Sequence, residues 1–438
     1  MNSHYSRSFA ITLLIVVSFT ARSAHGQNDT SVGEELTLDA VITLARERNQ
    51  RLASAEAVVD AKKQLEPSAG LPPDPMFQIG ARNLRLPDLT ADMPNSMAPS
   101  LQIVQTFPFP GKLSLGKRIA RQSTSISSAD ADETWWEVRT AVAAAFFEVY
   151  GADRQLEVMR VTLRLLHDFE AVARAMYGTG AGRQSDVLRA NVEVSRMDTE
   201  IARMEAMRIG AAARLNALLD LRAATPVPSP QLPHLPQEVP DRDTLRDWAE
   251  TSRPLIHGAR TEVERARSRY DLARKQVWPD LAIGVHYGQR DVDDDTRRMA
   301  SFLVGFNLPV FAGSRQLRMR DEAVALERVA EATLDETRAW VDARIEQLLA
   351  DLDQGRTLIN LYRKEILPEA GANVESAFSL YRIGDVDFLT LVDAQTTRNR
   401  FEQEYYQLLA QYGTDVAQLE MTVGRELPMA PALLAEVP

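Results

Sequence analysis

The stretch YRIGDVDFLTLVDAQ, residues 381–395, has an earlier counterpart in YGTGAGRQSDVLRAN, residues 177–191. Both carry a Tyr, a Gly three positions on, and a Leu/Val-rich run ending in Ala-Gln or Ala-Asn. Both sit inside strongly helical sequence. Tyr177 and Tyr381 are offset by 204, and Leu215 and Leu419 by the same amount. Working outward, SLQIVQTFPFP (100–110) resembles SFLVGFNLPVF (301–311) at an offset of 201. Each is followed by a Gly (Gly111, Gly313) and then a long charged-apolar helical pattern. Features that recur in one order mark a duplication. The proline-dense TPVPSPQLPHLPQEVP, 225–240, reads as an extended linker between the copies. The expected division is a first repeat over 27–224, that linker, a second repeat over 241–424, and a tail at 425–438.

Each repeat combines long helices with a pair of strands. The apolar positions Val341, Ile345, Leu348, Leu352, Ile359, Tyr362 and Ile366 follow a 4-3-4-3 spacing interrupted only at Gly355. Phe401, Tyr405, Leu408, Tyr412, Leu419 and Val423 keep a looser seam of the same kind. A 3.5-residue repeat predicts coiled-coil packing. The path from Ser314 to Tyr381 is roughly 100 Å at 1.5 Å per residue, with Gly355, Pro368 and Gly371 as candidate kinks. Strands are expected at about 76–86, 100–109, 280–289 and 301–311. In DLAIGVHYG (280–288) Leu281, Ile283, Val285 and Tyr287 share one face and Ala282, Gly284, His286 and Gly288 the other. Phe302, Val304, Phe306 and Leu308 repeat that asymmetry, as do Phe77, Ile79 and Ala81. Such runs fit tilted membrane-barrel strands, or an ordinary antiparallel sheet packed on a helix. Four strands cannot close a membrane barrel and open edges are not tolerated in lipid, so barrel strands here require several chains.

Polar loops separate the strands of each pair, LPDLTADMPNSMAP (86–99) and QRDVDDDTRR (289–298). The Asp291–Asp295 cluster does not fit the spacing of an EF-hand loop and reads as an exposed acidic loop. Met93 and Met97 read more simply as scattered loop methionines than as soft-metal contacts.

The 438 residues are 45% hydrophobic and 25% charged, enough to bury a sizeable core. The net charge of −11, without a long Lys/Arg run, excludes a nucleic-acid partner. Residues 1–26 read as an export signal: Arg7, an apolar run Phe9–Phe19, and a small-x-small cleavage site at Ala24-His25-Gly26. There is no Cys, hence no disulfide and no N-terminal lipid anchor. No later stretch is long and apolar enough for a membrane-spanning helix, which leaves a β-barrel open. An enzyme is not expected. Past the signal only His167, His234, His257 and His286 remain, with no pair at metal-ligand spacing, no phosphate loop and no Gly-x-Ser-x-Gly elbow. No cofactor and no metal-ligand set is assigned.

From the signal to about Gly424 the chain resembles the TolC-like family of outer-membrane efflux proteins. The resemblance rests on the duplicated helix–strand–strand–helix order, the Pro-Phe-Pro-Gly-Lys stretch at 108–112, the two Tyr-x-x-Gly turns, and YYQLLAQYGTDVAQLEMTVG (405–424) as a closing helix. TFPFPGKLSLG looks closest to the heavy-metal branch of the CzcC/CusC type. The resemblance implies a mainly α chain with β, assembled as a homotrimer. Each chain would give four strands to a twelve-stranded barrel in outer-membrane lipid, above a long helical tunnel crossing the periplasm. It further implies a passive exit duct served by a periplasmic membrane-fusion adaptor and an inner-membrane pump of the resistance–nodulation–division type. Heavy-metal cations are the cargo that the branch suggests. Drug efflux or type I protein secretion would use the same duct, and a soluble periplasmic coiled-coil scaffold is the reading from another class.

In that family the Tyr-x-x-Gly sites are hairpin turns at the periplasmic end, where the adaptor docks. The residues so assigned are Tyr177, Gly180, Tyr381, Gly384, Asp385 and Asp387. Glycine supplies the backbone that a tight turn needs, and carboxylates in the first turn of the departing helix suit its dipole. The helix after the second turn would line the closed end with acidic residues facing the axis. Asp393 matches one such position, Thr390 stands where the preceding acid is expected, and Asp186 is the repeat counterpart of Thr390. A ring of aspartates would attract cations. Solvated helix surface remains the plain alternative for Asp393 and Asp186.

Overall fold

The computed structural model describes residues 36–89, 96–292 and 295–428. The expected signal at 1–26, loop residues 90–95 with Met93, Asp293 and Asp294 of the acidic cluster, and the tail beyond 428 lie outside the described residues. The first half begins with α1 (Leu38–Arg48) and α2 (Gln50–Leu65), then β1 (Met76–Arg82) and β2 (Met97–Phe107). The long helices α3 (Lys112–Gly178) and α4 (Gln184–Leu218) complete it. The second half repeats the order with α5 (Arg242–Ser252), α6 (Pro254–Lys275), β3 (Leu281–Val292) and β4 (Asp295–Phe306). It closes with α7 (Gln316–Leu361), α8 (Leu367–Ile383) and α9 (Phe388–Val423). At 67 residues, α3 is a rod of about 100 Å.

The strands form one antiparallel sheet in the order β1-β2-β3-β4, with the two halves joined through β2 and β3. The strand limits differ from expectation at the loop ends. Asn83, at φ 54°, ends β1 early. The second hairpin instead continues through the polar stretch, pairing Gln289 with Arg298 and Asp291 with Thr296. Ladder pairing is made by backbone groups, so a hydrophilic run extends it as well as an apolar one. Phe77, Ile103, Val285 and Phe302 fall in one cross-strand row and are 51–68% exposed. Gly284, His286 and Gly288, on the opposite face, are buried. The sheet therefore curls around its small and polar face and turns the bulky apolar one outward.

The Pro-Phe-Pro-Gly-Lys stretch is the joint between sheet and helices. Lys112, buried at the start of α3, donates to Asp280 Oδ1 at 2.7 Å and to the Trp278 carbonyl at 2.9 Å. Asp280 Oδ1 also accepts the Phe109 amide at 2.7 Å, and the Phe109 ring stacks on Trp278 at 5.3 Å. A partly buried charge is thus paired and hydrogen-bonded where the two halves meet.

The main core lies along the middle of the helices. Val138, Val142, Ala145, Val149 and Leu156 of α3 are buried, as are Val341, Ile345, Leu348, Leu352 and Ile359 of α7. These two series correspond at an offset of 203. Nearer the Tyr-x-x-Gly turns the buried pairs are Leu166 with Ala370 and Ala173 with Ala377, at an offset of 204. Between them Tyr362–Ile366 forms one π-helical turn, whose wider winding absorbs the extra residue. No such turn interrupts α3. α7 runs without a break through Gly355, where the glycine makes room for a neighbour: a Cβ there would lie 3.1 Å from the Tyr412 ring. Two buried ion pairs tie α3 to the second half near the end of α9. Arg139 pairs with Glu420, while Arg253 donates to Glu133 and to the Thr422 carbonyl, each at 3.1 Å. Residues 225–240 form no helix and are pinned to the body: Tyr412 donates to the Pro236 carbonyl at 2.8 Å, and Leu235 is buried.

The helix ends explain why the punctuation occurs twice. In each Tyr-x-x-Gly the glycine is left-handed (Gly180 φ 79°, Gly384 φ 80°) and two amides fold back onto the last turn. Ala181 donates to Met176 and Gly180 to Tyr177; Asp385 donates to Leu380 and Gly384 to Tyr381, all at 3.0–3.1 Å. This is the Schellman cap, with Tyr two residues inside the helix end. The same cap closes the opposite ends of α4 and α9, at Asp220 and Gly424, again offset by 204.

The non-glycine Asp220 holds φ 54° there, kept partly by the Gln50 amide donating to its carboxylate at 3.0 Å. Replacing Asp220 by Gly should relieve strain and stabilise the α4 end by up to about 1 kcal/mol. Gly424→Ala should cost at least about 2 kcal/mol, because left-handed strain adds to a backbone clash. Its Cβ would lie 2.6 Å from Arg253 Cα and 2.7 Å from the Ser252 carbonyl. Hydrogen exchange at the ends of α4 and α9 checks both. A second expectation concerns Asp387, the N-cap of α9. Hydrogen bonds from the Thr390 hydroxyl and amide, with Arg189 and Arg183 nearby, hold its carboxyl below the usual range. A depressed folded pKa stabilises above the unfolded value of about 3.9 and is lost as pH falls through the folded one. Protection of the first amides of α9, corrected for intrinsic exchange, should therefore drop only below pH about 4. In Asp387→Ala it should be low at every pH.

Candidate functional site at the hairpin tips and the curled sheet

At the end remote from the sheet, α3, α4, α8 and α9 pack around a second apolar core. Phe169 and Ala173, Ala190 and Met197, Val374 and Ala377, and Phe388 and Leu391 are buried in it. The two hairpins thus share one core and end together. The glycine turns lie at its tip, where a Cβ added to Gly180 or Gly384 would meet nothing within 4 Å.

The two tyrosines of the repeated motif have opposite fates. Tyr177 is about half exposed, whereas Tyr381 is buried with its ring edge-on to Phe388 at 5.4 Å. The Tyr381 hydroxyl has no hydrogen-bond partner among the described residues. Burial, with a smaller contribution from the Asp186 carboxylate, pushes its pKa up. Asp186 is therefore near Tyr381 and is half-buried. At the tip surface stand Gly180, Gly384 and Asp385, joined by Ile383, which is 74% exposed.

Asp387 accepts the Thr390 amide at 3.0 Å and the Thr390 hydroxyl at 2.7 Å, so Thr390 is engaged in the cap. One turn further, Asp393 is exposed and its carboxylate makes no ion pair or hydrogen bond among the described residues. The structure brings Asp387 and Thr390 together and sets Asp186 near Tyr381. Asp393 stands apart from both.

Three features escaped the reading from sequence. Ile383 occupies a variable place inside Tyr-x-x-Gly, where nothing marks it as exposed. Leu188, Val192 and Leu389 line an apolar groove between α4 and α9 together with Phe388 and Val392. Their helical spacing looks like an ordinary core stripe. Deeper in, Thr162 donates to Asn399 at 3.2 Å and Gln395 donates to Thr162 at 3.3 Å, leaving Gln395 Oε1 unpaired in a buried polar seam. Tyr362, at the π-turn, donates to Glu404 at 2.5 Å, and this bond pushes its pKa up to about 12.

The curled sheet presents two chemistries. Its outer face carries Phe77, Ile79, Val285, Phe302, Val304 and Phe306, all strongly exposed. Its inner face carries Gln78, Gln102, His286 and Ser301 in one row across all four strands. Arg82 donates to Gln102, and His286 Nε2 lies 3.2 Å from Ser100 Oγ. Among the described residues no helix is long and apolar enough to cross a membrane, and no group of three or more His, Cys, Asp or Glu side chains converges.

This architecture has known relatives. CzcC, a cobalt-zinc-cadmium resistance protein of Cupriavidus metallidurans, is 24% identical over 395 residues, spanning 89% of this chain and 90% of its own. The solved structure of VceC, an outer membrane protein of Vibrio cholerae, superposes with a TM-score of 0.75 at 17% identity, covering 89% of this chain and 96% of that one. CusC, solved in a study of transmembrane channel formation, superposes with a TM-score of 0.75 at 18% identity, covering 89% and 92%. The model of the outer membrane efflux protein family matches residues 41–220 and 245–425, one span in each half, and the chain belongs to that family.

Proposed function

We propose that this chain is one third of an outer-membrane exit duct that passively conducts heavy-metal cations out of the cell. Three copies each give four strands to one barrel, and their helices form a tunnel through the periplasm. An inner-membrane pump of the resistance–nodulation–division type and a periplasmic adaptor deliver cargo at the tips. The division into an exported leader at 1–26, two repeats, a linker and a tail belongs to the same reading. The observation that carries it is the four-stranded sheet, apolar outside, polar inside and open at both edges. An open edge in hydrocarbon has to be paired, and the symmetric way is a ring of identical copies. The metal cargo rests on likeness to CzcC along most of both chains. A soluble scaffold would have no use for so apolar an outer face.

At the tips, Tyr177, Gly180, Ile383, Gly384 and Asp385 offer a surface to the adaptor. Tyr381 acts from inside by holding the second hairpin to the first. Asp393, exposed and unpaired, is the carboxylate that a narrow axis would present to passing cations.

Fractionation and susceptibility test the reading together. The protein should sediment with the outer membrane as a detergent-dependent trimer, and its deletion should sensitise cells to Co, Zn, Cd, Cu or Ag but not to a drug panel. A freely soluble protein ends the duct reading; sensitivity to drugs alone ends the metal one. In planar bilayers, Asp393→Ala should raise leak conductance or lower cation preference. An assembled variant unchanged in both returns Asp393 to ordinary surface.

A further inference from the structure

On the inner face of the sheet, near its loop end, sits a notch made by Gly288. In the ladder it lies between Ser100 on β2 and Met299 on β4, so all three share one face. A bulge between Gly80 and Arg82 shifts the register of β2 and pairs Arg82 with Met97. That shift reverses the alternation and brings Met97 onto the inner face. Its thioether fills the notch: a Cβ on Gly288 would lie 2.6 Å from Met97 Sδ and 3.1 Å from Met97 Cβ. His286, two residues before Gly288 and on the same face, is 3% exposed. Ser100 Oγ holds its Nε2 at 3.2 Å, and among the described residues the ring makes no other hydrogen bond.

We infer that Met97, Met299 and His286 form a binding site for a soft monovalent cation, Cu(I) or Ag(I), at the outer end of the inner face. The Met97 thioether fills the notch from the β2 side, Met299 is the ladder partner of Gly288 on β4, and His286 lies two residues along on the same face. Thioether and imidazole ligands select Cu(I)-like ions over hard cations, and no carboxylate joins the set to attract Mg²⁺ or Ca²⁺. The Ser100 contact orients the ring, as outer partners of metal-bound histidines do. Arg82 is turned toward Gln102, the ladder neighbour of His286, and adds positive charge nearby. Such a site binds weakly and releases readily, which is what a conduit requires of a contact at its exit. The inference gives chemical detail to the metal-efflux reading and rests on it for its purpose, but it is tested apart from cargo.

The test is titration of the full-length, detergent-solubilised protein with silver nitrate in chloride-free buffer, read by calorimetry and by X-ray absorption at the silver edge. The wild type should take one Ag(I) per chain, with sulfur and nitrogen scatterers. The near-isosteric double substitution M97L/M299L should weaken binding by about tenfold or more. G288A, which keeps every ligand but fills the notch, should weaken it as well. M76L, on the same face but away from the notch, should leave it unchanged. Size-exclusion elution identical to wild type confirms that each variant is folded. Wild-type binding no tighter than that of M97L/M299L, or silver surrounded only by oxygen and nitrogen, overturns the site. Either negative leaves the duct intact, because susceptibility of the deletion strain judges the cargo separately.

Discussion

A strand edge in hydrocarbon leaves amide and carbonyl groups without partners, and each such group costs several kcal/mol. This chain has two such edges, on β1 and β4. In the proposed duct its strongly apolar outer face would meet lipid, while its edges could not stay there alone. In the proposed assembly each β4 pairs with the β1 of the next copy, and the defect of one chain becomes the closure of three. Helix length follows from the same condition. In the proposed function a duct anchored in one membrane and served from another would have to span the space between, and a single α3 of about 100 Å is built on that scale.

The duplication supplies two hairpins and two helix pairs from one folding unit, but their joints are not interchangeable. Lys112 and Asp280 meet across the halves at the base of the sheet. At mid-height Arg139 and Arg253 each bind a carboxylate of the opposite half. Buried ion pairs of this kind add little net stability over well-packed apolar groups, yet breaking one leaves an uncompensated charge. They suit a structure whose long helices offer many nearly equivalent apolar registers. One correct pairing satisfies the charges and the slipped ones do not.

Much of this was legible because its causes are local. Glycines that must be left-handed, alternation along a strand and a 3.5-residue seam all leave marks at fixed spacing, and the repeat doubled each mark. What stayed hidden depends on neighbours. Tyr177 and Tyr381 occupy the same place in the same motif, and only packing against Phe388 decides that the second is interior. Thr390 looked like a lost acid until the Asp387 cap claimed its hydroxyl. Met97 read as a loop residue because the stretch before Ser100 hides the start of β2, and one bulge then inverts the alternation by which its face would be assigned. The strand ends went astray for a related reason, since backbone ladders continue where side-chain patterning stops.

The π-turn at Tyr362–Ile366 makes the two arms of the duplicated body mechanically unequal. The first arm descends to its tip as one unbroken rod. The second holds one residue more over the same height and stores it in a loose winding clasped by Tyr362 and Glu404. A load applied equally to both tips would bend the jointed arm before the rigid one. In a ring of such chains, stiff struts and compliant ones would alternate around the circumference, so the far end would yield by swinging only half of its members.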